Sequence, residues 1–327
     1  MYFDGARTER ELPSQRIALT QTQANPTRVV ESIRSMLVLY GSVRSTPLAR
    51  HTDRSLLDLP LGQGTILSEH LSQAQDCVRR FGLDEIGMRV LVGSESVAPG
   101  SDAGSRVPGV RFVVERDPTE IRGVAGVLSD TTRTMDEDDY ILVSSGAQVY
   151  MEPLKDLVHA MAKKAGDVVF VASRDGSPVG LWLLRVGVLR SVSRVGYVDL
   201  KEQALESWRH EYSVRVVERP RAYTLPVRSR TEYLDALRAF ALGLGAGSTI
   251  DEDPYREEWE STFSIAEPGA QVGEDAVLHD SVALRGSQIG KGAVVVRSVL
   301  CPGAKVVPGA RVTEQVVHGV VKRGRSR

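Results

Sequence analysis

The chain has 327 residues, 42% of them apolar and 25% charged, enough sequence for about two domains with buried cores. Lys and Arg number 41 against 42 Asp and Glu, a formal net charge of −1 that argues against a nucleic-acid binder, which carries a basic excess. Two cysteines, Cys77 and Cys301, make neither a disulfide framework nor a zinc-site spacing, so the expected compartment is the reducing cytoplasm. No stretch approaches the roughly eighteen uninterrupted apolar residues that a membrane span needs. The most apolar run, Val179 to Leu189, is broken by Arg185, and no charged-then-apolar leader opens the sequence; no membrane association is expected.

Residues 1–33 are polar and aperiodic, with Pro13 and Pro26, and read as a flexible extension. Residues 34–248 alternate short apolar runs with amphipathic stretches. Ser35 to Gly41 (SMLVLYG) predicts a buried strand. Leu67, Leu71, Ala74, Val78 and Phe81 recur at helical spacing, and Gly82 stands where a C-cap glycine belongs. Met88 to Gly93, then RFVVE, DYILVSS and DVVFVAS, predict further strands. Leu154, Leu157, Val158 and Met161 predict a helix, and Arg230 to Leu242 another. Strands alternating with helices imply an α/β domain with a mostly parallel sheet and helices on both faces.

An acidic stretch, residues 249–264, reads as a linker. Beyond it, Pro-Gly-Ala-x-Val occurs three times, at Pro268, Pro302 and Pro308. Aliphatic residues recur every six positions, first as Val272, Leu278 and Leu284, then as Val294, Leu300, Val306 and Val312; the two runs are out of phase, so one turn is irregular. Such a period predicts a parallel β-helix over residues 265–318, about three coils of three hexads each. A basic tail, residues 319–327, follows.

An α/β domain joined to a short hexapeptide β-helix resembles the sugar-1-phosphate nucleotidyltransferases, such as mannose-1-phosphate guanylyltransferase and glucose-1-phosphate adenylyltransferase. Those proteins carry an opening L-A-G-G-x-G-T-R-L-x-P-L segment. Val38 to Pro60 matches it, with Arg44, Pro47 and Leu48 in place and Arg54 standing for the family lysine. Arg122 to Leu128 (RGVAGVL) resembles the family's base-contacting loop. The resemblance implies a Rossmann-like nucleotidyltransferase domain followed by a left-handed β-helix. It also implies nucleotide contacts at Gly41, Ser42, Arg44, Gly123 and Gly126, a sugar contact at Gly180, and phosphate contacts from Arg44 and Arg54. The two arginines have a second reading, as surface residues or partners of Asp53 and Asp58.

The departures fall on the chemistry. On this alignment Leu39 and Tyr40 replace the paired glycines, and Ser42-Val43 a Gly-Thr, where backbone must close on phosphates. Nucleotidyl transfer uses Mg²⁺ to bridge phosphate oxygens. In the resembling segments Ala147 and Pro226 stand at the two metal-ligand Asp positions, and neither side chain ligates a cation. No metal ligand is therefore expected, and Mg²⁺ only if the chain is active. Ser144-Ser145-Gly146 ends a strand without a G-x-S-x-G elbow. The six histidines are scattered. Two readings stand: a degenerate relative that binds a nucleotide or sugar nucleotide as a regulatory or structural subunit, or an active nucleotidyltransferase with unusual metal ligands. Either is expected to self-associate through the β-helix or to pair with an active relative.

Overall fold

The computed structural model describes residues 25–40, 46–100, 107–117, 121–173, 176, 178–219, 223–243 and 262–322. Gly41, Ser42 and Arg44, most of the acidic stretch and the end of the basic tail lie outside them. Among the described residues, seven strands form the main sheet: β1 (Ile33–Tyr40), β2 (Ile86–Val92), β3 (Val110–Arg116), β4 (Tyr140–Ser145), β5 (Val168–Ala172), β6 (Pro178–Arg185) and β7 (Val214–Glu218). Their order is β7-β5-β6-β4-β1-β2-β3. All are parallel except β6, which runs antiparallel between β4 and β5. The fold is mixed α/β with a parallel-rich sheet. The sequence pattern missed β6 because the apolar helix Val186–Leu189 follows it directly after Arg185, so strand and helix read as one apolar stretch.

Among the described residues, eight α-helices flank the sheet: α1 (Pro26–Glu31), α2 (Pro47–Thr52), α3 (Ile66–Phe81), α4 (Gly123–Thr131), α5 (Leu154–Lys163), α6 (Val186–Leu189), α7 (Leu205–Glu211) and α8 (Arg230–Ala241). Strand alternation divides the core. Met36, Val38 and Tyr40 of β1 join α1, α3, α5 and α8 on one face, while Leu37 and Leu39 pack toward α4, α6 and α7 on the other. Helix α3 begins where Thr65 and Ser68 exchange side-chain-to-backbone hydrogen bonds and stops at Gly82, whose φ of 65° is left-handed. Helix α1 lies within the stretch expected to be a flexible extension. Asn25 caps it, Pro26 starts it, and Val29, Val30 and Ile33 are buried, so apolar packing begins before residue 34.

Among the described residues the C-terminal strands are distributed in turn among three short parallel sheets, and each returns to its own sheet 17 residues later, except the last, where Lys305 pairs with Val320 after 15. Val282 pairs with Val299 and Val299 with Val316; Gln271 pairs with Gln288, and Val277 with Val294. One series of interior residues, Ala283, Ile289, Val295, Leu300, Val306, Val312 and Val317, is spaced 6, 6, 5, 6, 6, 5. Each coil thus contains one five-residue side, rather than a single irregular turn. Leu284 and Val294, placed in the aliphatic series by a strict period of six, lie one residue away from the interior positions Ala283 and Val295.

The shortened corner has a local cause. Asp280, Arg297 and Glu314, each 17 residues apart, have φ of 45°, 45° and 52°. Ser281 Oγ accepts the Ser298 amide at 3.0 Å, and Ser298 Oγ accepts the Gln315 amide at 3.1 Å, so a hydroxyl ladder supports that edge.

The coil does not stand apart. Val282, Leu284 and Val299 point away from its interior and enter the same core as β1, α3 and α8. Around them Arg54 Nη1 meets Glu267 Oε2 at 2.7 Å, Arg238 Nη2 meets Asp280 Oδ2 at 2.6 Å, and Arg230 Nη1 donates to the Arg297 carbonyl at 2.6 Å. Asp280 also accepts the Thr262 amide and hydroxyl. Burial alone would raise its carboxyl pKa; the Thr262 and Arg238 hydrogen bonds outweigh that and hold it below the ordinary value.

The phase of the coil is testable by paired substitutions. Val295→Ser, in the interior, should destabilise the protein by about 2–3 kcal/mol in urea unfolding, whereas Val294→Ser should cost under about 1 kcal/mol.

Candidate functional site

In an open α/β sheet, ligands bind beyond the carboxyl ends of parallel strands where the winding order reverses. Here that reversal lies between β1 and β4. Their ends meet tightly: the Gly146 amide donates to the Leu39 carbonyl at 2.8 Å. A Cβ on Gly146 would come within 3.1 Å of Val38 Cγ1 and 3.2 Å of Tyr40 Cβ, so a side chain there would crowd β1.

The Tyr40 side chain is buried, and its hydroxyl accepts the Leu56 amide at 2.9 Å. It fills space beside β1 that a glycine would leave open. Burial, as the largest cause, keeps its phenol above the ordinary pKa. Asp58, whose charge bears on Tyr40, accepts the Gly100 amide at 3.1 Å. Its carboxyl is raised by burial, which the Gly100 hydrogen bond and the Arg54 charge oppose.

Ala147 and Pro226 come together. A short antiparallel ribbon pairs Gln148–Tyr150 with Thr224–Pro226, with Pro226 opposite Gln148, and the Val227 amide donates to the Ala147 carbonyl at 3.1 Å. The two segments that the sequence matched to metal-ligand positions are therefore neighbours across this ribbon. Beyond it, Arg219 grips Glu152 with two hydrogen bonds of 2.9 Å. Among the described residues, no three His, Cys, Asp or Glu side chains form a metal-holding group. The residues at this point do not fit a magnesium ion, which prefers carboxylate oxygens.

Beneath the Gly146–Ala147 turn lies a buried polar cluster in which Ser144, weighed in the sequence only as a nucleophile, meets residues that the sequence did not connect with it. Ser144 Oγ and Tyr150 OH are 2.5 Å apart, and Gln148 Nε2 donates to Ser144 Oγ at 3.2 Å. His70, from α3, places Nε2 3.2 Å from the Gln148 carbonyl and packs edge-on to Tyr150, ring centres 5.3 Å apart. Because that carbonyl only accepts, the proton sits on Nε2; Nδ1 has no hydrogen-bond partner among the described residues. Burial drives the His70 pKa down to about 4, against the opposing pull of the nearby Gln148 and Gly146 backbone. The signal was present: His70 sits on the apolar face of α3 between Leu67 and Leu71.

The other predicted contacts have structural partners. Gly123 has φ 67°, and a Cβ there would lie 2.5 Å from the Val198 carbonyl oxygen; the Val198 amide in turn donates to the Arg122 carbonyl at 2.9 Å. A Cβ on Gly126 would meet the Arg122 side chain at 3.1 Å. Both glycines therefore make room for a backbone staple and for Arg122, which binds Asp130 and the Gly196 and Ser193 carbonyls. The segment read as a base-contacting loop opens α4. Gly180, with φ 78°, faces Ser145 and Gln148 at the site itself. Arg54 is held by Glu267 and the Asp58 carbonyl, rather than by the side chains of Asp53 or Asp58.

No protein-family model matches the sequence, and no curated protein does. Among solved structures, the chain is similar to the homolog of Mycobacterium tuberculosis rv0371c from Mycobacterium sp. strain JC1: 18% identity, 65% of this chain and 98% of that one, TM-score 0.43. A Bacillus anthracis protein assigned as a glucose-1-phosphate thymidylyltransferase, in complex with a sucrose, is 11% identical over 63% of this chain and 94% of its own, TM-score 0.47. HddC from Yersinia pseudotuberculosis is 11% identical over 64% and 100%, TM-score 0.46. No described helix is long and apolar enough to cross a membrane.

The depressed His70 pKa has a pH consequence. Unfolded, His70 takes a proton near pH 6.5; folded, it stays neutral to about pH 4, so stability is lost as pH falls through that window, by on the order of 3 kcal/mol. His70→Gln keeps a donor for the Gln148 carbonyl and removes the titration. Its melting temperature should fall less between pH 6.5 and 4.5 than that of the wild-type chain.

Proposed function

We propose that the chain is a sugar-1-phosphate nucleotidyltransferase-like protein that has lost magnesium-dependent transfer. It binds a nucleotide or sugar nucleotide as a regulatory or structural subunit, in the cytoplasm, self-associated or paired with an active relative. The observation that carries this reading is the meeting of Ala147 with the Pro226–Val227 segment at the reversal of strand order. Two carboxylates at those positions could share a cation between phosphate oxygens; a methyl group and a pyrrolidine ring cannot. Tyr40 supports the same reading, because a buried aromatic ring occupies a position where close backbone approach to phosphates needs glycine. The C-terminal stack is read as a left-handed hexapeptide β-helix, with its two undocked faces available for association.

Calorimetric titration of the full chain with nucleoside triphosphates and sugar nucleotides, with and without Mg²⁺, tests the proposal. Sugar-nucleotide binding that changes less than about twofold with Mg²⁺ is expected. Magnesium-dependent triphosphate binding with pyrophosphate release would overturn it. Ala147→Asp alone should not create turnover; a gain of about tenfold or more, some 1.4 kcal/mol of barrier, would contradict the loss of the site.

A further inference from the structure

One pair of side chains lies outside the site at the strand ends. His51, in the last turn of α2, and His318, just after the final interior residue Val317, come from opposite ends of the chain, yet their ring centres are 5.3 Å apart with planes at 56°. Both side chains are exposed, and neither ring makes a hydrogen bond among the described residues.

The placement is built rather than incidental. Leu284, Cys301 and His318 occupy one coil position at 17-residue intervals, on the edge that faces the α/β domain. The Cys301 amide donates to the Val317 carbonyl at 2.8 Å, which fixes the strand end that carries His318. The Cys301 thiol donates to the His51 carbonyl at 3.2 Å, which fixes the helix end that carries His51. Burial pushes that thiol pKa up to about 11, so Cys301 keeps its proton and serves as a brace.

We infer that His51 and His318 form a two-histidine site for a divalent transition-metal ion of the zinc class, clamping α2 to the last coil. The distance suits it. With Zn–N about 2.0 Å, a ring centre about 1.1 Å beyond each nitrogen and a tetrahedral angle at the ion, two imidazoles on one ion have centres about 5.1 Å apart. Imidazole is a preferred ligand for zinc, copper and nickel. No third His, Cys, Asp or Glu completes a set among the described residues, so the other positions on the ion are left to water. An ion held here stabilises only the docked arrangement, because His51 and His318 are 267 positions apart in an unfolded chain.

Zinc chloride titration of the full chain, stripped with EDTA and followed by calorimetry and thermal unfolding, tests the inference. One ion per chain is expected, with the melting temperature raised by roughly 5 °C at a hundredfold excess over Kd and the rise reversed by EDTA. His51→Ala and His318→Ala should each weaken zinc binding by about tenfold or more, while His210→Ala, on α7, should leave it unchanged. Both histidines are exposed, so the variants should fold. Absence of zinc binding, or wild-type affinity in the His51→Ala/His318→Ala double variant, would overturn the site.

Discussion

The apolar seam between the coil and the α/β domain is the constraint on which the rest of the structure depends. Val282, Leu284 and Val299 leave the coil on one side and enter the core that also holds Val38, Tyr40 and Tyr233. Strand geometry makes this available: on residues 281–283 and the position that follows, Ala283 points into the coil while Val282 and Leu284 point out. Burying three aliphatic side chains contributes on the order of 5 kcal/mol, far more than an exposed ion pair supplies. The polar contacts around the seam act mainly to orient it. Asp280, with its side chain 3% exposed, needs Arg238 and Thr262 because an unpaired buried carboxylate would be costly.

The seam reaches the candidate site through Arg54. Its guanidinium bridges Glu267, at the start of the coil, and the Asp58 carbonyl, on the loop whose Leu56 amide binds Tyr40. A residue placed by sequence among phosphate contacts is thus part of the joint between the two units. Tyr233 makes a similar link, buried in α8 and donating to the Pro60 carbonyl at 2.7 Å. The strand end, the loop after it and the coil are consequently one connected body. Tyr40 belongs to that body, and a phosphate could take its place only if the Leu56 contact were broken.

Much of the fold was legible because periodicity records burial. The α3 spacing, its Gly82 stop and the apolar runs of β1, β2, β4 and β5 follow from which faces meet the core. The interior of α/β sheets erases alternation, however, and β6 was hidden because its apolar residues run on into those of α6 with only Arg185 between them. The coil illustrates a subtler loss. The period of six appears within each coil, but the left-handed turn at Asp280, Arg297 and Glu314 closes one side after five residues. That shift carries the interior from Leu284 to Ala283, a small residue with no aliphatic signal. At the site, the resemblance singled out Ala147 and Pro226, and the ribbon makes their segments neighbours. It could not show that Gly123 and Gly126 make way for the Val198 backbone and for Arg122, because those contacts join segments some 70 residues apart.

Hydrogen exchange of the native protein in low urea tests the shared core most directly. If the seam joins the coil to the sheet, the amides of Val295 and Leu300 should open with the same free energy and the same urea dependence as those of Met36 and Val38. Coil amides that exchange through a separate, lower-energy opening while β1 stays protected would contradict it. The anchoring of Arg54 and the closure around Tyr40 would then need another cause.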